Sequence, residues 1–513
     1  MSVTKSLSPQ VLWQHFEALS QIPRANGQDA AASEHLVGWA QRLGFEQCRD
    51  EAGNVLVRVP ASAGLEALPS VLLQAHVDMV GVCEDGLDFD FATTPISLQL
   101  DGDWLSAKGT TLGADNGIGV AAAMAIAESG LPHGPLELLF TVEEETTMRG
   151  ARELDPSMLR SRFAINLDSE EPGIIFVGSA GGAEDLLRLE VEWKPPHGAP
   201  DGDVALELEV SGLRGGHSGM EIGMRRANAI QVLQDFLWSL RAEVAYSLAD
   251  FQAGTVSNAI PSKARALIVV GRSEVDEVAE FLAAARTTRA HELADDEPDF
   301  TLLMSESPKP LRVLSIASRD RFLRLLGSLP HGPRGCIAGF AGVIESSSNL
   351  AIVGIDENPP TLNLGPPEPA FFIELSSRSS RKPALRRLRA QIRACAELAG
   401  AQVSSTPPYP AWTPRERSEL ALLAQRCWGE LGGTGQAPNR QELGHPAAVL
   451  TVVHAGLECG YLAEKCPDLD MISIGPLVLE AHTPRERVCV SSVSEFFDFL
   501  AAILAEVGSF QGA

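Results

Sequence analysis

Short apolar runs recur through the first third of the chain, and several end on a carboxylate or an imidazole. Val71-Leu72-Leu73, Leu138-Leu139-Phe140 and Phe163-Ala164-Ile165 read as buried strands. Helical spacing lies between and before them. Val11, Leu12, Phe16 and Leu19 form one apolar stripe, a helix is predicted over 29–43 with Gly44 as its C′ residue, and a strand follows over 54–59. After the strand at 70–75 comes a loop-rich stretch. A helix of small residues then runs from about Gly117 to Glu128, stopped by Gly130-Leu131-Pro132. This alternation predicts an α/β fold with a mostly parallel sheet.

The pattern changes near 192–202, a linker-like stretch, after which Val204, Leu206, Leu208 and Val210 alternate as a half-buried strand. A proline cluster at 405–410 marks a return to the first style, with a helix near 415–430 and a strand at 470–474. A chain of 513 residues is also too long for one ordinary core. The expected organisation is therefore a mostly parallel-sheet α/β domain made from 1–185 and 405–513, split by an inserted α+β domain over 186–404. The insert is long enough for two subdomains.

A formal charge of −26 excludes nucleic acid and anionic membranes as partners, and the basic stretch 378–393 reads as a solvated helix face. Small or neutral molecules remain. No apolar run reaches the roughly 18 residues of a membrane span, and the start of the chain lacks the apolar core of a signal peptide. The eight cysteines are scattered without a CxxC pair, as expected of reduced thiols. A cytoplasmic protein is expected.

Five segments carry the candidate chemistry: Ala75-His76-Val77-Asp78, Gly113-Ala114-Asp115-Asn116-Gly117, Glu143-Glu144-Glu145, Asn166-Leu167-Asp168 and Glu480-Ala481-His482-Thr483-Pro484. Open α/β sheets place ligands at the C-terminal ends of their strands, so these segments can converge. Two imidazoles and three carboxylates suit a borderline cation such as zinc, and one shared carboxylate can hold two ions roughly 3.5–4 Å apart. His76 and Asp78 stand two apart on a strand end, so Asp78 can orient a metal-bound His76. Packed glutamates survive only beside cations, yet the residues alone do not say which of 143–145 is ligand and which is base. Arg214-Gly215-Gly216-His217-Ser218-Gly219 has the wrong spacing for a phosphate loop, which leaves a plain turn or a turn carrying a functional His217.

These segments, with Thr141-x-x-Glu144-Glu145-x-x-Met148-x-Gly150-Ala151 and Leu167-Asp168-Ser169-Glu170, resemble the co-catalytic di-zinc peptidases, a group that includes aminoacylases, glutamate carboxypeptidases and carnosinases. Arg214 to Gly219, His454-Ala-Gly-Leu-Glu458-Cys-Gly460 and Ser473-Ile-Gly-Pro476 are similar to the bacterial Xaa-His dipeptidases within it. The resemblance runs in order along nearly the whole chain. It implies that His76, Asp115 and Asp168 hold one metal, and that Asp115, Glu145 and His482 hold the other. It also makes Glu144 the general base, Asp78 the orienting residue and Glu143 a bystander, the register being set by Thr141 and Met148-x-Gly150-Ala151. The outer domain would then be catalytic and the insert a lid. There His217 would steady the oxyanion, while Asn258, Asn349 and Arg378 would grip the substrate carboxylate; a guanidinium can do so bidentately.

The activity so implied is metal-dependent hydrolysis of unblocked dipeptides of the Xaa-His type, with two divalent ions, Zn²⁺ before Co²⁺ or Mn²⁺, in a monomer or homodimer. An amidohydrolase for N-acyl amino acids is the rival enzyme, since an unblocked substrate needs an anion for its amine, with Glu458 and Glu480 as candidates. A metal or peptide binder without catalysis is the rival of another class, and it would have no use for a base at Glu144. Thr147, Gly223 and Glu480 depart from the group at positions where Gly, His and Gly are usual, which touches substrate preference.

Overall fold

The computed structural model describes residues 3–25, 27–196, 198, 202–340, 342–356, 369–432 and 447–507. Part of the linker expected at 192–202 lies outside them. The chain forms two compact units: Met1–Ser179 with Trp412–Val452 and Leu457–Ala513, and Ala180–Ala411 with Val453–Gly456. The sequence pattern puts the breaks at 185/186 and 404/405. None of the described helices is long and apolar enough to cross a membrane.

The first unit is built on an eight-stranded sheet. Its middle strands, Leu136–Thr141, Val71–His76, Phe163–Asn166 and Asp470–Ser473, lie side by side and parallel. Antiparallel strands flank them, with Val55–Val59 on Leu136–Thr141 and Ile174–Ser179 on Asp470–Ser473. Every residue of Val71–His76, Leu136–Thr141 and Phe163–Asn166 is buried, which is why these strands read as unbroken apolar runs. Helix Ala114–Glu128 is buried along nearly its whole length, and its alanines let it lie close to the sheet. The loop-rich stretch after His76 contains strands Leu98–Asp101 and Trp104–Ala107, which join Arg487–Cys489 and Val478–Leu479 in a four-stranded antiparallel sheet.

Register fixes the site. His76 pairs with Thr141, Gln74 with Asn166, and Asn166 with Ser473, so the four strand ends fall within two residues of one level. The segments after them carry Asp78, Glu144, Glu145 and Asp168.

The second unit is spanned by one nine-stranded sheet. Its central members include Ser247–Ala253, Ile344–Asp356, Ala370–Ser379 and Gly181–Glu190. Asp203–Ser211 pairs antiparallel with Ala264–Gly271, and its buried Val204, Leu206, Leu208 and Val210 face a core shared with helices Ala229–Leu240 and Ile316–Ser328. Helix Lys382–Ala399 buries Leu385, Leu388 and Ile392, and of its basic residues Arg389 turns back onto the buried Asp185 at 3.2 Å.

Candidate metal centre

At the strand ends of the first unit, two imidazoles and four carboxylates converge. Asp115 lies between the rings: Oδ1 is 3.1 Å from His76 Nε2 and Oδ2 is 3.0 Å from His482 Nε2. Asp168 Oδ1 is 3.2 Å from His76 Nε2, and Glu145 Oε2 is 3.0 Å from His482 Nε2. Two triads of potential ligand atoms result, His76–Asp115–Asp168 and Asp115–Glu145–His482, each within 4.8 Å, with Asp115 common to both. Glu144 stands 4.0 Å from His76 Nε2 and, with Glu145, forms a third such group around His76.

Local sequence explains how each side chain arrives. His76 is the last residue of its strand. Its Nδ1 faces Asp78, whose Oδ1 is 3.4 Å away. Asp115 sits in a non-helical turn at the start of helix Ala114–Glu128, preceded by Gly113 with φ of 70°. A Cβ at Gly113 would lie 2.5 Å from Arg24 Nη2, and one at Gly117 would lie 2.6 Å from the same atom, so both glycines make room for a buried guanidinium. Asn116 donates to Asp168 Oδ1 at 2.6 Å and to Leu167 O at 2.8 Å, linking the 115 turn to the 168 strand end.

Glu143 has φ of 52°, and its carboxylate accepts from Arg149 Nη2 at 2.7 Å, pointing out of the cluster. The helix expected from Asp29 spans Ala30–Leu43, and Asp29 makes no capping bond there. Its carboxylate instead accepts the backbone N–H of Glu143 at 2.8 Å.

The electrostatics are those of crowded, desolvated acids. Burial and the neighbouring Asp168, Glu145 and Glu458 push Glu144 well above the ordinary carboxylate range, against the pull of His76. Burial raises Asp168 to about 6, despite His76. Burial works the same way on Asp115, but the imidazoles of His482 and His76 overcome it and hold this carboxyl well below its usual value. Hydrogen bonds to Asp115 and Glu145 push His482 up to about 11. Glu145 Oε1 is buried without a hydrogen-bond partner. Such a donor set, imidazole nitrogens and carboxylate oxygens with an acceptor left over, fits divalent cations, which would displace the shared protons.

The remaining candidates lie in the second unit, near one another. His217 pairs with Ala259, Ser218 N donates to Asn258 O at 2.7 Å, and Asn349 Nδ2 donates to the carbonyls on either side, Ser257 at 3.1 Å and Ala259 at 2.7 Å. Arg378 lies across from Ser347 on the strand beside Asn349, with Nη1 donating to Tyr409 Oη at 2.9 Å. Asn349 Oδ1 and Arg378 Nε are buried without hydrogen-bond partners.

Of the departures, a Cβ at Gly223 would meet Ile344 Cδ1 at 2.6 Å, so a larger residue there requires the Ile344 side chain to shift. The Glu480 carboxylate is paired with Arg485. Glu458 is fully buried and its Oε2 accepts from Thr141 Oγ1 at 2.6 Å and Gln74 Nε2 at 2.5 Å. Sequence reasoning missed Arg24, Asn116 and Glu486 at this site. The one available signal was position: Asn116 adjoins a ligand candidate and Glu486 follows His482 by one helical turn's spacing.

The sequence model of Peptidase family M20/M25/M40 matches residues 72–506. The chain is 36% identical over 508 residues to the cytosol non-specific dipeptidase of Escherichia coli (strain K12), covering 99% of each. It superposes on the crystal structure of aminoacylhistidine dipeptidase from Vibrio alginolyticus with a TM-score of 0.83 at 33% identity, covering 98% of both chains. A tripeptidase from Staphylococcus aureus, 14% identical with a TM-score of 0.53 over 98% of this chain and 99% of its own, shares the fold.

Proposed function

This chain belongs to peptidase family M20/M25/M40, and on that premise we propose that it hydrolyses unblocked dipeptides of the Xaa-His type with two divalent cations. The observation that carries the reading is the Asp115 carboxylate, one oxygen toward each imidazole, with a further carboxylate completing each triad. His76, Asp115 and Asp168 would hold one ion and Asp115, Glu145 and His482 the other, zinc being favoured by mixed nitrogen and oxygen donors. When bound, such ions polarise a scissile carbonyl and acidify water.

The chain's own residues do the rest. Glu144, outside both triads, takes a proton from the attacking water on its carboxylate and returns it to the leaving amine. Its raised proton affinity suits a group that must hold the proton between the two transfers. Asp78 keeps the His76 ring turned and fixes the Glu144 backbone. His217 Nδ1 accepts from Met220 N at 3.1 Å, so the neutral ring carries its proton on Nε2, the form that donates to an oxyanion. Asn258, Asn349 and Arg378 are assigned to the substrate carboxylate, supported by the open Nε–H donor of the Arg378 guanidinium. All eight cysteines are free thiols, in keeping with a cytoplasmic setting.

The test is a panel of free dipeptides, Xaa-His among them, and N-acyl amino acids, assayed with metal-stripped and zinc-restored protein. Metal-dependent turnover of free dipeptides is expected. Turnover confined to N-acyl amino acids would make the enzyme an amidohydrolase, and none at all would make it a binder.

A further inference from the structure

Glu486 is buried, 2% exposed, and it reaches a segment more than three hundred residues away in sequence. Its Oε2 accepts the backbone N–H groups of Leu112 at 2.7 Å and Gly113 at 3.0 Å. Its Oε1 accepts those of Ala114 at 2.7 Å and Asp115 at 3.4 Å. One carboxylate thus gathers four consecutive amides of the turn that presents Asp115.

Arg24, equally buried, holds the same turn from its carbonyl side. Nη2 donates to Gly113 O at 2.5 Å, while Nη1 donates to Val77 O at 2.9 Å and Asp78 O at 3.0 Å. The guanidinium therefore ties the 113 turn to the segment after His76. Gly113 and Gly117 lack side chains where this guanidinium passes. Both charges are spent on backbone groups, an expensive use of buried ions unless it fixes geometry.

We propose that Glu486 and Arg24 are positioning residues for the metal centre: together they set the 112–115 turn so that one Asp115 oxygen faces each imidazole. Neither touches substrate. The inference rests on the reading of Asp115 as the shared ligand. Because Glu486 lies in the same loop as His482, it also couples the His482 side of the site to the Asp115 side. Burial weakens a charge on either residue, and the attraction between Arg24 and Glu486 offsets part of that for the guanidinium.

The experiment is zinc titration of metal-free protein by competition with a chelator, for the parent, Glu486→Gln, Glu486→Ala, Arg24→Lys and Asp115→Ala, together with the unfolding temperature of each metal-free protein. Glutamine keeps the volume but turns an NH₂ toward amide donors, and one ammonium cannot span three carbonyls. Zinc affinity is expected to fall by about 10–100-fold in Glu486→Gln and Arg24→Lys, the range typical of groups that orient ligands, with the metal-free unfolding temperature near the parent's. Parent-like affinity in Glu486→Gln overturns the proposal, and so does a loss of affinity that merely tracks lower metal-free stability. Should Glu486→Ala not fold, the glutamine and lysine variants still decide. Retention of both ions by Asp115→Ala would instead remove the shared-ligand reading itself.

Discussion

Asp78 accepts the backbone N–H of Glu144 on Oδ1 at 3.0 Å, and that same oxygen lies 3.4 Å from His76 Nδ1. Its other oxygen accepts the N–H of Glu145 at 3.0 Å. One carboxylate thus orients an imidazole and the two glutamates that follow the neighbouring strand. Burial opposes its ionisation, yet His76 and the two amides hold Asp78 below its ordinary value, so it stays an acceptor.

Replacing Asp78 by Asn should therefore damage two things at once. An amide has one acceptor oxygen, so an N–H of Glu144 or Glu145 is left facing an NH₂. Metal affinity at the His76 side is expected to drop by about 10–100-fold, and turnover should fall further than metal content does. Metal analysis alongside kcat reads both.

Glu144→Gln should keep both ions, because Glu144 belongs to neither shared triad, while kcat falls by on the order of 10²–10⁴-fold through loss of proton transfer. Near-normal turnover in the metallated variant would move the base elsewhere.

Asp115→Ala removes a ligand from both triads, so occupancy should fall at both, whereas His482→Ala should empty chiefly one. Dialysis followed by metal analysis separates the two patterns. Equal losses would mean that Asp115 is not shared.

Arg378→Ala should raise KM for free-carboxylate dipeptides by on the order of 10–100-fold, as expected for a charge-assisted contact, and leave C-amidated analogues nearly unaffected. Parallel kinetics on the two substrate forms check this. An equal effect on both would assign Arg378 to structure.

His454 predicts a pH effect on stability. Burial, then the Arg378 guanidinium, pushes its imidazole down to about 4, outweighing a bond to Ile344, while Nε2 sits 2.7 Å from Ser347 Oγ. The folded value lies below the ordinary 6.5, so the unfolded chain binds more protons between the two. Stability from this group is complete above pH 6.5 and is lost as the pH falls toward 4, about 2 kcal/mol of it by pH 5. His454→Gln should flatten the fall in unfolding temperature between pH 7 and 5. An unchanged slope would mean that His454 titrates normally.

The sequence by itself determined the strands and the chemistry of the centre. Val71–His76, Leu136–Thr141 and Phe163–Asn166 are buried on both faces, and burial of that kind is written directly as an unbroken apolar run. His76 and Asp168 stood out because polar residues ending such runs are costly without a task, while Asp115 and His482, which sit in turns, stood out through the motifs around them. Tertiary structure decided the pairing. Which carboxylate meets which imidazole depends on strand order and register, as Asn166 beside Gln74 and Ser473 illustrates, and these bring together segments hundreds of residues apart. The same holds for Glu143, turned toward Arg149 by a positive φ, and for Asp29, at the start of the predicted helix, whose carboxylate binds the Glu143 amide. Arg24 and Glu486 were illegible for the same physical reason: their partners are backbone groups, which every residue possesses, so no pattern of side chains along the chain announces them.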